Sequence, residues 1–167
     1  GDFCSVEPDL NDPASQASRR GKTNCCESLQ VLGIHTDGGL RRHIPVPTEK
    51  LHRSESMTLD QLALVETLCS GAHAAGRARI QKNDFVTVIG AGPIGLSVLE
   101  YVKDQTDGPI AVLDVSDSRL EFVRQNLGIE NTINVTQIDD PTSALAEVGS
   151  GNLPTVIFDA TGNAKSM

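Results

Sequence analysis

The residues best suited to chemistry form one short constellation. Gly90-Ala91-Gly92-Pro93-Ile94-Gly95 fits G-x-G-x-x-G. It follows a β-rich run, Phe85 to Ile89, and opens a run from Pro93 to Lys103 that reads as a helix. In that setting the first glycine permits a tight turn and the second lets a pyrophosphate approach the backbone. The third lets helix and strand pack closely, and the helix N-terminus supplies N–H groups and a positive dipole end. Pro93 suits the first helical turn, where its missing N–H costs nothing. Asp114 follows Gly95 by 19 residues. It ends a second predicted strand, Pro109 to Asp114, where a carboxylate can accept hydrogen bonds from adenosine ribose hydroxyls. The same charge repels a 2′-phosphate, so NAD is favoured over NADP. Arg119, five residues on, either softens that preference or stacks near the adenine.

These groups need elements to hold them. Ser116 can cap a helix in which Leu120, Val123 and Leu127 share a face, with Gly128 suited to the position after its end. Asn131 to Val135 reads as a third strand, Asp140-Pro141 opens a short helix, and Pro154 to Phe158 reads as a fourth strand. Strand and helix alternate over short connections, which predicts α/β class with a parallel sheet covered on both faces. Upstream, Thr58 and Gln61 form a capping-box pattern. Leu59, Leu62, Glu66 and Cys69 then share one helical face. Glu66 thus places a carboxylate on an apolar stripe, either serving a functional site or sitting at the stripe's edge and reaching water.

The first 50 residues are irregular, broken by Pro8, Pro13, Pro45 and Pro47. Val31 to Ile34 and Arg42 to Val46 read as short strands around Asp37-Gly38-Gly39. This half is too small and too aromatic-poor to predict a core of its own.

Composition narrows the function classes. Fourteen basic against 22 acidic residues give a net charge of −8 over 167 residues. That argues against binding nucleic acid, which needs a clustered positive footprint. The apolar stretch from Val86 to Leu99 is 14 residues long and broken by glycine, too short for a bilayer span. No signal peptide is visible. Cys4, Cys25, Cys26 and Cys69 do not form a disulfide framework, so a cytoplasmic protein is expected. His35, His43, His52 and His73 offer no close metal spacing. No nucleophile elbow, Walker loop or paired-carboxylate constellation stands out.

Several runs carry a family resemblance: Val31-Leu32-Gly33-Ile34-His35-Thr36-Asp37-Gly38-Gly39, Leu62-Ala63-Leu64-Val65-Glu66, Gly71-Ala72-His73-Ala74, Val88 to Leu96, and Asp159-Ala160-Thr161-Gly162. In order and spacing the chain resembles the zinc-type medium-chain dehydrogenases, within them the sorbitol, threonine and sugar-acid branch. The resemblance implies a partial Rossmann doubly wound parallel sheet, residues 55–167, preceded by part of a GroES-like β-rich catalytic domain, residues 1–54. It implies NAD-dependent hydride transfer to or from a secondary alcohol of a polyol, sugar acid or hydroxy amino acid, a small-molecule substrate, and leaves a homo-oligomer open. Gly90, Gly92, Pro93, Ile94, Gly95, Asp114 and Arg119 would hold the cofactor, with Ala160 and Thr161 in a loop on the nicotinamide side. The residue matching Glu66 lies beside the catalytic zinc in the polyol branch, and here Thr67 replaces the proline that usually follows it.

The departures carry expectations too. By resemblance, the family's zinc-binding cysteine and His-Glu pair fall before residue 1, and two more strands fall after the fourth one here. Glu66 is therefore the single catalytic candidate. The structural-zinc pattern C-x2-C-x2-C-x7-C falls on Asp12, Ser15, Ser18 and Cys26. Only one of these is a cysteine, so structural zinc is expected to be absent. The alternative to a working enzyme is a catalytically silent dinucleotide-binding fragment or remnant.

Overall fold

The computed structural model describes residues 1–164. It divides into two compact units, Gly1–Glu66 and the residues from Thr67 on.

In the first unit, β1 (Cys4–Val6) pairs antiparallel with β4 (Leu51–Arg53), and β2 (Asp9–Leu10) with β3 (Gln30–Val31). Between β2 and β3 lie a four-residue helix, α1 (Gln16–Arg19), and a 3-10 turn, Thr23–Cys25. Lys50, in a second 3-10 turn, is buried. Its ammonium donates to Glu7 Oε1 at 2.5 Å and Asn11 Oδ1 at 2.8 Å, the pairing a buried cation requires. Two strand expectations are corrected. Arg42 to Val46 is not a strand. Pro45 and Pro47 lack the N–H that a ladder needs. The strand over Val31 to Ile34 stops at Val31, because the chain turns there. Val31 O accepts the N–H of both Ile34 and His35, and His35 Nδ1 accepts the Val31 N–H at 2.9 Å.

Helix α2 (Leu59–Ala78) runs from the first unit into the second. Its start shows the reciprocal capping box: Gln61 N–H donates to Thr58 Oγ1 and Thr58 N–H to Gln61 Oε1.

The second unit alternates β5 (Val86–Ile89), α3 (Pro93–Val102), β6 (Ile110–Asp114), α4 (Asp117–Leu127), β7 (Thr132–Asn134), α5 (Pro141–Val148) and β8 (Val156–Asp159). The four strands form a parallel sheet in the order β7-β6-β5-β8. Val86, Val88 and Val112 pack one face against Ala75 of α2, Val98, Leu99 and Val102 of α3, and Leu120 and Val123 of α4. Phe85, Ala111 and Leu113 pack the other face against Leu145 of α5. Helices on both faces and an order that reverses beside β5 make this the doubly wound sheet of the dinucleotide-binding type. Gly128 ends α4 in the left-handed conformation, φ 68°. Asp140 caps α5 by accepting the Thr142 N–H. Ser116 precedes α4 without a side-chain cap bond; its hydroxyl pairs with Ser118 instead.

Candidate active site and dinucleotide cleft

The strand order reverses between β5 and β8, and open α/β sheets bind ligands at the carboxyl ends of such strands. There the chain shapes a cleft of about 430 Å³. Of the residues expected from sequence, Gly90, Gly92, Asp114, Arg119, Ala160 and Thr161 line it together. Pro93, Ile94 and Gly95 do not. Pro93 opens α3, Ile94 is 42% exposed on its first turn, and Gly95 is buried.

The three glycines do three different jobs. Gly90 has φ +98°, and a Cβ there would lie 3.2 Å from the Ala160 carbonyl and the Thr161 methyl. A Cβ on Gly95 would fall 1.7 Å from the Gly90 carbonyl oxygen, so the start of α3 can press onto the loop only without a side chain. A Cβ on Gly92 would meet nothing. The protein does not require a glycine there; a ligand approaching the backbone would.

Asp114 ends β6 and is buried, its side chain only 4% exposed. Its Oδ2 accepts the Ala91 N–H at 2.7 Å and its Oδ1 the Ser116 N–H at 2.8 Å. Arg119 reaches back from α4 to within 3.7 Å of Oδ2 while staying half exposed. Across the cleft, Asp159 Oδ1 accepts both the N–H and the hydroxyl of Thr161, which shapes the loop after β8. Ile89, Leu113, Val115, Val135 and Asn163 also line the cleft and were not singled out from sequence. Four of them stand at or just past strand ends, which the rule for strand carboxyl ends could have flagged.

Glu66 lies exposed on α2. Its exposure agrees with the alternative in which it reaches water, and of Leu59, Leu62, Glu66 and Cys69 only Leu62 is buried. Among the described residues no three His, Cys, Asp or Glu side chains come together as a metal-holding group. The positions matching the structural-zinc loop are engaged otherwise. Asp12 Oδ1 accepts the Ala14 N–H, and Ser15 Oγ caps α1 by accepting the Ser18 N–H. The Ser18 hydroxyl pairs with Ser15 at 2.9 Å and accepts from Asn11 at 2.9 Å. Cys26 is buried. Its thiol is brought down to about 7 by the Ser28 and Ser15 hydroxyls and the Asp12 N–H. Two hydroxyls and a carboxylate beside one thiol do not fit zinc, which takes Cys and His in such closed sites.

No family model matches the chain. An uncharacterized zinc-type alcohol dehydrogenase-like protein of Haemophilus influenzae is 36% identical over 97% of this chain and 47% of its own length. The L-galactonate-5-dehydrogenase of Escherichia coli K12 is 36% identical over 100% of this chain and 48% of its own. The chain belongs to the zinc-type medium-chain dehydrogenase family. It spans about half the length of the curated relatives it matches. A solved structure, described as the short chain alcohol dehydrogenase RspB of Escherichia coli CFT073 complexed with NADH, superposes with a TM-score of 0.87 at 31% identity, covering 98% of this chain and 48% of that one. No helix among the described residues is long and apolar enough to cross a membrane.

Proposed function

We propose that this chain is the cofactor-holding part of an NAD-dependent oxidoreductase, one that moves hydride between NAD and a secondary alcohol of a polyol, sugar acid or hydroxy amino acid. The observation that carries the reading is the buried Asp114 carboxylate standing beside a Gly90–Gly95 loop whose second glycine faces open space. The residues fit the cofactor. The backbone at Gly92 and the start of α3 would take the pyrophosphate, where helix N–H groups and the dipole favour anions. Asp114 keeps lone pairs for ribose hydroxyls and repels a 2′-phosphate. Arg119 supplies a cation at the rim, and Ala160 and Thr161 close the side toward the nicotinamide. Bound there, the nicotinamide ring would give or take the hydride. The solved NADH complex of a relative supports NAD. The name of the L-galactonate dehydrogenase supports a sugar-acid or polyol substrate. Glu66 is the residue of this chain that would lie beside the catalytic zinc that the resemblance implies for a full-length relative.

The test is a titration of NADH into the purified chain, followed by the fluorescence of the cofactor, with NADPH beside it. The chain has no Trp, so protein emission interferes little. Saturable NADH binding at least ~10-fold tighter than NADPH is expected, a difference of about 1.4 kcal/mol. Equal affinities would sink the NAD assignment, and no binding of either would sink the cofactor reading.

A further inference from the structure

Asp114 is engaged before any cofactor arrives. Its Oδ2 holds the Ala91 N–H and its Oδ1 the Ser116 N–H, both at hydrogen-bond length. One residue earlier, the Leu113 carbonyl accepts the Gly90 N–H at 2.7 Å. Two successive amides of the glycine loop are thus tied to two successive residues at the end of β6. The first tie is ordinary backbone pairing; the second depends on a side chain. It acts on a residue that is itself buried, Ala91 at 3% exposed, directly after a glycine at φ +98°. A buried N–H stripped of its acceptor is costly, and the glycine before it gives the peptide freedom to turn away. Arg119 cannot stand in, because it is a donor and Ala91 needs an acceptor.

We propose that Asp114 is a positioning residue for the glycine loop, whose carboxylate sets the phosphate cradle independently of any contact with the ribose. The proposal rests on the dinucleotide reading above and deepens it. It has a consequence for cofactor preference: replacing Asp114 to admit a 2′-phosphate does not convert the site to NADPH, because the cradle common to both cofactors loosens. Both affinities fall.

The experiment compares the unaltered chain with Asp114→Asn and Asp114→Ala, using ADP and 2′,3′-dideoxy-ADP as probes. A role confined to the ribose leaves the dideoxy probe unaffected. The loop role predicts that the dideoxy probe weakens by about tenfold or more in Asp114→Ala, the size expected for losing a hydrogen bond to a charged group. Amide hydrogen exchange without ligand gives the second readout. Ala91 should exchange about tenfold faster or more in the variants, while Val86 to Val88 stay protected and certify the fold. A third readout needs no variant: a scalar coupling between the Ala91 amide nitrogen and the Asp114 carboxyl carbon across the hydrogen bond. Unchanged dideoxy-ADP affinity, unchanged Ala91 exchange or a missing coupling each overturns the proposal. If the unaltered chain binds neither probe, the dinucleotide reading fails instead, and exchange and coupling still decide whether Asp114 holds the loop.

Discussion

At the scale of single residues, the glycine loop separates what the fold needs from what a ligand needs. Gly95 and Gly92 look alike in the motif but differ in their surroundings. Gly95→Ala would push a methyl to 1.7 Å from the Gly90 oxygen, an overpacking that costs about 1–3 kcal/mol or more. Gly92→Ala adds a methyl to open space. The expected outcome is a lowered Tm and lost NADH binding for the first, and an unchanged Tm with NADH weakened at least ~10-fold for the second. A Gly92→Ala chain that binds NADH normally would remove the argument that a pyrophosphate approaches there. Sequence disclosed these glycines, but not their division of labour, because a spacing pattern carries no information about what faces each Cα. Cys26 adds a pH dependence. Its thiol sits at about 7 in the folded chain against an ordinary 9.0. A depressed folded value means stability is fully present above the unfolded pKa and is lost as pH falls through the folded one. Thermal melts should therefore gain stability between about pH 7 and pH 9, and Cys26→Ser should flatten that rise. A Cys26→Ser chain with the parent's slope would assign the pH dependence to other groups.

At the scale of elements, what was legible in the sequence was local. The Thr58–Gln61 box, the helix stop at Gly128 and the helix start at Asp140-Pro141 each depend on three or four neighbouring residues, and each forms, whereas the Ser116 side-chain cap does not. The burial face of α2 was not legible for the opposite reason. Its second-unit part buries Gly71 and Ala75, small residues that hydrophobic spacing overlooks. A Cβ on Gly71 would lie 2.0 Å from the Ser97 hydroxyl and 2.6 Å from the Ser97 carbonyl oxygen. α3 comes this close so that Ser97 can donate to the Thr67 carbonyl at 2.7 Å. In its first-unit part Leu62 is buried while Leu59 and Leu64 stay exposed. The loop carrying α1 makes a prediction at the same scale. Asn11, Ser15, Ser18 and Cys26 take part in hydrogen bonds that close it. Prolonged dialysis against EDTA should leave the thermal transition where it was, with no stoichiometric zinc in the dialysed or undialysed protein. One zinc per chain, removed together with several degrees of stability, would show that the lobe has recruited other ligands.

At the scale of the whole molecule, surface chemistry sets how copies of the chain meet. β8 ends the sheet among the described residues, so one of its edges offers unpaired backbone groups. Leu153 and Ile157 beside that edge are 52% and 57% exposed. Ile157 lies opposite Thr87 in the β5–β8 register, on the sheet face away from α3, where α5 covers Phe85, Ala111 and Leu113. An exposed apolar side chain on an open edge favours pairing between copies. The net charge of −8 opposes it, and that repulsion weakens as salt shortens the Debye length from about 10 Å at 0.1 M to about 3 Å at 1 M. Sedimentation velocity should therefore show a mean mass that rises with salt for the parent chain. Ile157→Lys puts a charge at the same spot, the device by which natural edge strands resist pairing, and should hold the mass constant across the same salt range. A parent that stays monomeric at high salt would mean that the edge is already shielded by its own chain. A variant that associates as strongly as the parent would move the contact to another surface.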